Sequence, residues 1–117
     1  MEMIARTIPI GYWGVSQGSS IGIPLLAVDH RFTCAVLGLA HLHPNHNRLR
    51  VAAQHDTIPL RFAFQWDDPI RERAYGLALF DAFGSSEKSM HINLGGHAEI
   101  PAPEVASWDV FFQRYLP

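Results

Sequence analysis

Four apolar runs of strand length alternate with four segments of helical character along this chain, and no other feature constrains the fold as much. The runs are residues 8–15 (IPIGYWGV), 32–40 (FTCAVLGLA), 58–66 (IPLRFAFQW) and 89–94 (SMHINL). They are close to continuously apolar, which suits strands covered on both faces. Segments of helical character follow them. In SIGIPLLAVDH, Ile21, Leu25 and Val28 fall at i, i+4 and i+7, and Pro24 predicts a kink. NRLRVAAQH is short. PIRERAYGLALFDAFGSS opens with Pro69, suited to a first helical turn, and carries Gly84 where a C-cap is expected. In PEVASWDVFFQRYL, Val105, Trp108, Phe112 and Tyr115 lie on one stripe. The pattern predicts an α/β fold with about four parallel strands, flanking helices and right-handed crossovers.

Bulk properties narrow the function classes. A length of 117 residues fits one domain, residues 1–117, able to bury roughly two-thirds of its unfolded surface. A net charge of −2 leaves no basic footprint for nucleic acid or for an anionic membrane surface. No apolar stretch approaches the roughly 20 residues of a membrane span. The start, MEMIARTIPIGYWG, does not resemble a signal peptide, so a cytoplasmic location is the default expectation. Cys34 is the only cysteine, which excludes an internal disulfide; within FTCAVLGLA it reads as a small buried hydrophobe. No repeat, low-complexity tract or linker marks a domain boundary.

In open parallel sheets, ligands sit beyond the carboxyl ends of the strands. Three of the four runs end in residues with chemistry: Ser16, the pair Asp67-Asp68, and His97. Ser16 stands in Gly14-Val15-Ser16-Gln17-Gly18, a Gly-x-Ser-x-Gly pattern between a strand and a helix. Such a turn puts the serine under backbone strain, and the glycines leave room for strand and helix to approach. The hydroxyl then projects toward a base, and the next backbone N–H, that of Gln17, faces a developing oxyanion. The pattern also fits a glycine-rich turn with a capping serine, a part Ser19 or Ser20 can play. Chain order favours the first reading. A hydroxyl needs a base, and the base needs an orienting carboxylate; here the order is serine, acid, histidine, each just past an apolar run.

These residues resemble the carboxyl-terminal half of an α/β-hydrolase, most similar to the dienelactone-hydrolase-like and related esterase branch. YWGVSQGS resembles the family's elbow. IPLRFAFQWDDPIRERAYGLALFDAFGSSEKSMHINLGGH resembles its acid strand, following helix, last strand and histidine loop. The resemblance implies a Ser-Asp-His serine hydrolase of an ester, lactone or related acyl bond, acting on a small-molecule acyl substrate without metal or cofactor. Ser16 would be the nucleophile, His97 the general base and acid, the Gln17 N–H one oxyanion donor, and Gly14 and Gly18 the elbow glycines. The family's aspartate usually stands three residues after a strand-ending glycine. Gln65 occupies that position, which selects Asp68, with Asp67 as the alternative. The resemblance also implies that the amino-terminal strands of the family are lacking. The elbow strand would then have an open edge prone to self-association, the last helix would lie alone on one face, and a second oxyanion donor would be missing. A catalytically inactive fragment and a non-enzymatic binding module on the same scaffold are the alternatives.

Other features take plainer readings. His41, His43 and His46 in HLHPNH have spacings that could converge on zinc, but Pro44 and Asn45 make the segment a loop and no cysteine supports it. It is expected to be solvated, with no metal. His30, His55 and His91 are expected to be structural or exposed. Tyr12 and Trp13 are expected in the core or a pocket wall, and Trp108, Phe111, Phe112 and Tyr115 in packing. The charges of Arg71–Arg73 read as a solvated helix start, and Glu99 is given no role.

Overall fold

A computed structural model describes residues 8–117. The elements run β1 (Ile10–Val15), α1 (Gln17–Val28), β2 (Phe32–Gly38), α2 (Asn47–Gln54), β3 (Leu60–Gln65), α3 (Arg73–Ala82), β4 (Lys88–Asn93) and α4 (Ala102–Tyr115). The strands form one sheet in the order β1-β2-β3-β4, every pair parallel. The α/β expectation holds, with strand limits within two residues of the apolar runs.

Two cores explain why the runs are continuously apolar. Alternate residues of a strand point to opposite faces. Ala35 and Leu37 of β2, with Phe62 and Phe64 of β3, meet Ile23, Leu26, Ala53, Leu79 and Phe83 on the face covered by α1, α2 and α3. Cys34, Val36 and Ala63 point the other way, onto Trp108 and Phe111 of α4. The last helix does stand alone on its face among the described residues, and β1 has β2 as its one neighbour.

Helix faces depart from the periodicity in ways that have causes. Ile21 and Val28 of α1 are exposed, while Ser19, Gly22, Ile23 and Leu26 face the sheet. A Cβ on Gly22 would come within 2.4 Å of the Tyr12 ring, so close approach needs this small face rather than the larger apolar one. Pro24 lies inside α1 without ending it. Helix α3 begins at Arg73 instead of near Pro69, because Asp68 Oδ1 accepts the N–H groups of Ile70 (2.8 Å) and Arg71 (3.0 Å). A local side-chain turn of this kind competes with the first helical turn. Gly84 follows the cap residue Phe83 without a positive φ. Its need is close approach, since a Cβ there would meet Gln54 O at 2.1 Å.

In α4 the buried residues are Glu104, Trp108 and Phe111, and Val105 is exposed. The Glu104 carboxylate turns the helix, accepting Asn93 Nδ2 (2.9 Å), His91 Nδ1 (3.1 Å) and Ser107 Oγ (3.1 Å). Burial pushes the Glu104 pKa up, but these partners outweigh it and the carboxyl lies below its ordinary range. Trp13 is half exposed rather than in the core, leaning on Trp108 from the edge strand. Cys34 is fully buried, as expected. Among the described residues no helix is long and apolar enough to cross a membrane.

One buried group works against stability. Asp56 is fully buried and neither carboxyl oxygen has a hydrogen-bond partner. Burial raises its pKa from 3.8 to about 8. The folded state therefore keeps a proton that the unfolded chain releases, and stability falls as pH rises between those values, by up to about 1.4 kcal/mol per unit. Urea unfolding is expected to show wild type losing stability from about pH 5 to about pH 7 faster than Asp56→Asn, whose amide does not titrate. Parallel stability profiles for the two proteins would contradict this.

Candidate active site

At the end of β1 the chain turns straight into α1, and Ser16 is the hinge. Its backbone sits at φ 56°, ψ −119°, a region that disfavours any residue with a Cβ. Gly14 makes the turn possible, because a Cβ there would meet the Gly18 carbonyl oxygen at 2.7 Å. Gly18 has open space at the corresponding position, so crowding requires glycine at 14 and not at 18. The Gly18 carbonyl accepts the Tyr12 hydroxyl at 2.7 Å.

The turn is pinned to β2. Ser16 N–H donates to Gly38 O at 2.8 Å. Ser19, fully buried, accepts the Gly38 N–H at 2.8 Å, and its hydroxyl lies 2.7 Å from Gly14 O and 2.8 Å from Gly38 O. Ser19 therefore tethers the elbow instead of capping α1. Ser16 is the N-cap residue of α1, yet its side chain makes no capping bond. Its hydroxyl is instead 2.8 Å from His97 Nε2.

The acid comes from the end of β3. The Asp68 side chain is fully buried, and its Oδ2 lies 2.5 Å from His97 Nδ1. Asp67 is exposed and bonds elsewhere. Its Oδ2 accepts the Gly95 N–H at 3.1 Å, while its own N–H donates to Gly95 O at 3.1 Å. Of the two aspartates, Asp68 meets the imidazole and Asp67 ties down the histidine loop.

That loop is held from several sides. Gly95 has φ 120°, a conformation that favours glycine. Gly96 N–H donates to Glu99 Oε1 at 3.0 Å. Gln65, fully buried, donates from Nε2 to Glu99 O (2.8 Å) and Gly96 O (3.2 Å). In sequence Glu99 has no evident role, and Gln65 stands out only as a departure from a glycine. A signal for Gln65 does exist: an amide ending an apolar strand needs buried partners.

Hydrogen-bond chemistry sets the proton positions. Burial alone would raise the Asp68 pKa, but hydrogen bonds from His97 and from the Ile70 and Arg71 N–H groups outweigh it, and the carboxyl lies below its ordinary value. An ionised carboxylate only accepts, so neutral His97 carries its proton on Nδ1 and its Nε2 accepts from the Ser16 hydroxyl. The Gln17 N–H, first in the 12-residue helix α1, has no acceptor among the described residues and sits at the positive end of the helix dipole.

The other histidines lie elsewhere. His46 Nδ1 accepts the Leu49 N–H at 3.2 Å and caps α2, while His41 and His43 meet edge-on beside the Tyr75 ring. His91 pairs with Glu104, and His30 and His55 are exposed. Among the described residues no group of three or more His, Cys, Asp or Glu is gathered to hold a metal ion.

Solved structures share this arrangement of strands and helices. A cold-adapted esterase from an Arctic intertidal metagenomic library matches in its native form with 35% identity and a TM-score of 0.86, over 92% of this chain and 49% of that one. This is part of an α/β-hydrolase fold. The PEG-bound complex of that esterase matches equally, at 35% identity and TM-score 0.86, over 47% of its chain. The acylaminoacyl peptidase of Pyrococcus horikoshii shares the fold at 16% identity and TM-score 0.68, over 96% of this chain and 25% of its own. The chain thus spans about half the length of the esterase it matches. No protein-family model matches the sequence, and no curated protein matches it.

The strained elbow makes an energetic prediction. Ser16→Gly removes the Cβ that φ 56° disfavours, whereas Ser16→Ala keeps it. Ser16→Gly is expected to be more stable than Ser16→Ala by about 1 kcal/mol in urea unfolding, net of glycine's larger unfolded-state entropy. Equal stability of the two variants would mean that the turn stores no strain.

Proposed function

We propose that this chain carries the Ser-Asp-His machinery of a serine hydrolase that cleaves a carboxylic ester, lactone or related acyl bond. The observation behind the proposal is the unbroken line Asp68–His97–Ser16, with distances of 2.5 and 2.8 Å, ending beside a free backbone N–H. Likeness to an esterase over nearly the whole chain supports ester over amide. In the dienelactone-like reading the ester is cyclic and the leaving oxygen stays tethered to the acyl group.

In the forward half-reaction the Ser16 hydroxyl attacks the acyl carbon as His97 Nε2 takes its proton. Asp68 keeps the imidazole in the required tautomer and stabilises the imidazolium that forms. The carbonyl oxygen becomes an oxyanion against the Gln17 N–H. His97 then gives the proton to the leaving oxygen, and an acyl-Ser16 ester remains. Water attacks it with the same imidazole as base, releasing the acid and restoring the hydroxyl. Every step uses groups of this chain and water. The Gln17 N–H is one oxyanion donor, and a donor of this kind contributes about 10²–10³ in rate.

A fluorophosphonate reagent tests the reading, since it needs an activated serine and no specific substrate. Wild type is expected to take one phosphonyl group on Ser16. Ser16→Ala and His97→Ala abolish labelling. Asp68→Asn slows it by about 10³–10⁴-fold through the wrong tautomer, and Asp67→Asn by less than about tenfold, as a loop tether. A folded wild-type protein that is not labelled would favour the inactive fragment, and a His97→Ala variant labelled as fast as wild type would remove His97 from its role.

A further inference from the structure

The turn after β2 is the feature of this rim that the triad leaves unexplained. Leu39 holds a left-handed backbone, φ 54°, which disfavours leucine, yet it is buried. Two hydrogen bonds keep it there. Its N–H donates to Ala63 O at 2.9 Å, and its carbonyl accepts Arg71 Nε at 3.1 Å. The same guanidinium reaches His41 Nε2 through Nη1 at 3.3 Å. A guanidinium only donates, so this nitrogen of His41 is the acceptor. His41 is wedged in turn, its ring edge-on to His43 at 4.5 Å and to Tyr75 at 6.3 Å. Leu42 N–H donates to Tyr75 O at 2.9 Å, closing this loop onto α3.

Arg71 is also the residue whose backbone N–H donates to Asp68 Oδ1. On the other side of the turn, Gly38 O accepts the Ser16 N–H. A continuous path therefore runs from Ser16 through Gly38, Leu39 and Arg71 to Asp68. The line Asp68–His97–Ser16 closes it into a ring. Arg71 is half-buried in this ring rather than on a solvated helix start.

We propose that Arg71 is a positioning residue whose guanidinium clamps the β2 turn to the acid loop, fixing Asp68 at the distance from Ser16 that His97 spans. The inference rests on the serine-hydrolase reading above. Glutamine at this position lacks the reach and the charge. Lysine keeps the charge but presents one ammonium in place of a fork that serves two acceptors 32 and 30 residues upstream.

The test compares wild type, Arg71→Lys and Arg71→Gln by two readouts. The first is the proton resonance of His97 Nδ1–H in the ligand-free protein, which reports the bond to Asp68 without any turnover. Arg71→Gln is expected to broaden or lose this signal through exchange with water, and Arg71→Lys to retain it in part. The second is fluorophosphonate labelling. Its maximal rate is expected to fall about tenfold or more in Arg71→Gln, with partial rescue by lysine and little change in the reagent concentration giving half-maximal rate. A folded Arg71→Gln protein with an unchanged, sharp Nδ1 resonance overturns the clamp. An unlabelled wild type overturns the hydrolase reading alone, because the resonance still decides on Arg71. If Arg71→Gln fails to fold, His41→Phe decides: it removes one acceptor and keeps an aromatic ring between His43 and Tyr75. The same broadening, to a smaller degree, supports the clamp, and an unaltered signal rejects it.

Discussion

The bond between Asp68 Oδ2 and His97 Nδ1 organises the rim at the carboxyl ends of the strands. It joins the loop after β3 to the loop after β4, and it chooses which imidazole nitrogen faces Ser16. A buried carboxylate is tolerable only when its lone pairs are satisfied. Asp68 meets that condition by division of labour: Oδ1 takes two N–H groups of its own loop and Oδ2 takes the histidine. The same two N–H contacts delay the start of α3, so a helix boundary and the orientation of the acid have one cause. Glu104 follows the same logic on the opposite face. Its buried carboxylate is satisfied by His91, Asn93 and Ser107, and the first two tether α4 to β4 as it lies across the sheet.

Unfavourable backbone geometry is concentrated at the same rim. The two non-glycine residues with positive φ among those described, Ser16 and Leu39, flank Gly38 in space, and both are held by hydrogen bonds to neighbouring strands. Such strain persists only where the surroundings over-determine it, and it is found preferentially at functional sites. Here the surroundings are a sheet whose two inner strands are buried on both faces. Asp56 shows the contrast: a buried carboxyl with no partner lowers stability at neutral pH and contributes nothing to the rim.

Much of the fold was legible because strand burial on both faces writes itself as an uninterrupted apolar run. The candidate site was legible because its three groups each follow such a run in a particular order. What stayed hidden depends on contacts between distant segments. The inward face of α1 sets Ser19 and Gly22 beside Ile23 and Leu26, and the two small residues, neutral on any apolar pattern, are what close approach to Tyr12 and Gly38 requires. The inward face of α4 includes a glutamate, because its partners lie on β4. Asp67 and Asp68 look alike in sequence, and their separation into loop tether and imidazole partner appears only when one is exposed and the other buried. Arg71 reads as a surface charge until Leu39 and His41 are brought beside it.

The proposed acyl-transfer site, where the ends of β1, β3 and β4 converge, is tested most directly by a crystal structure of the protein after reaction with a phosphonylating agent. The expected result is phosphorus bonded to Ser16 Oγ, the phosphoryl oxygen against the Gln17 N–H, and His97 still bound to Asp68. Phosphorus on a different residue, or a phosphoryl oxygen turned into solvent with the imidazole detached from Asp68, would contradict it.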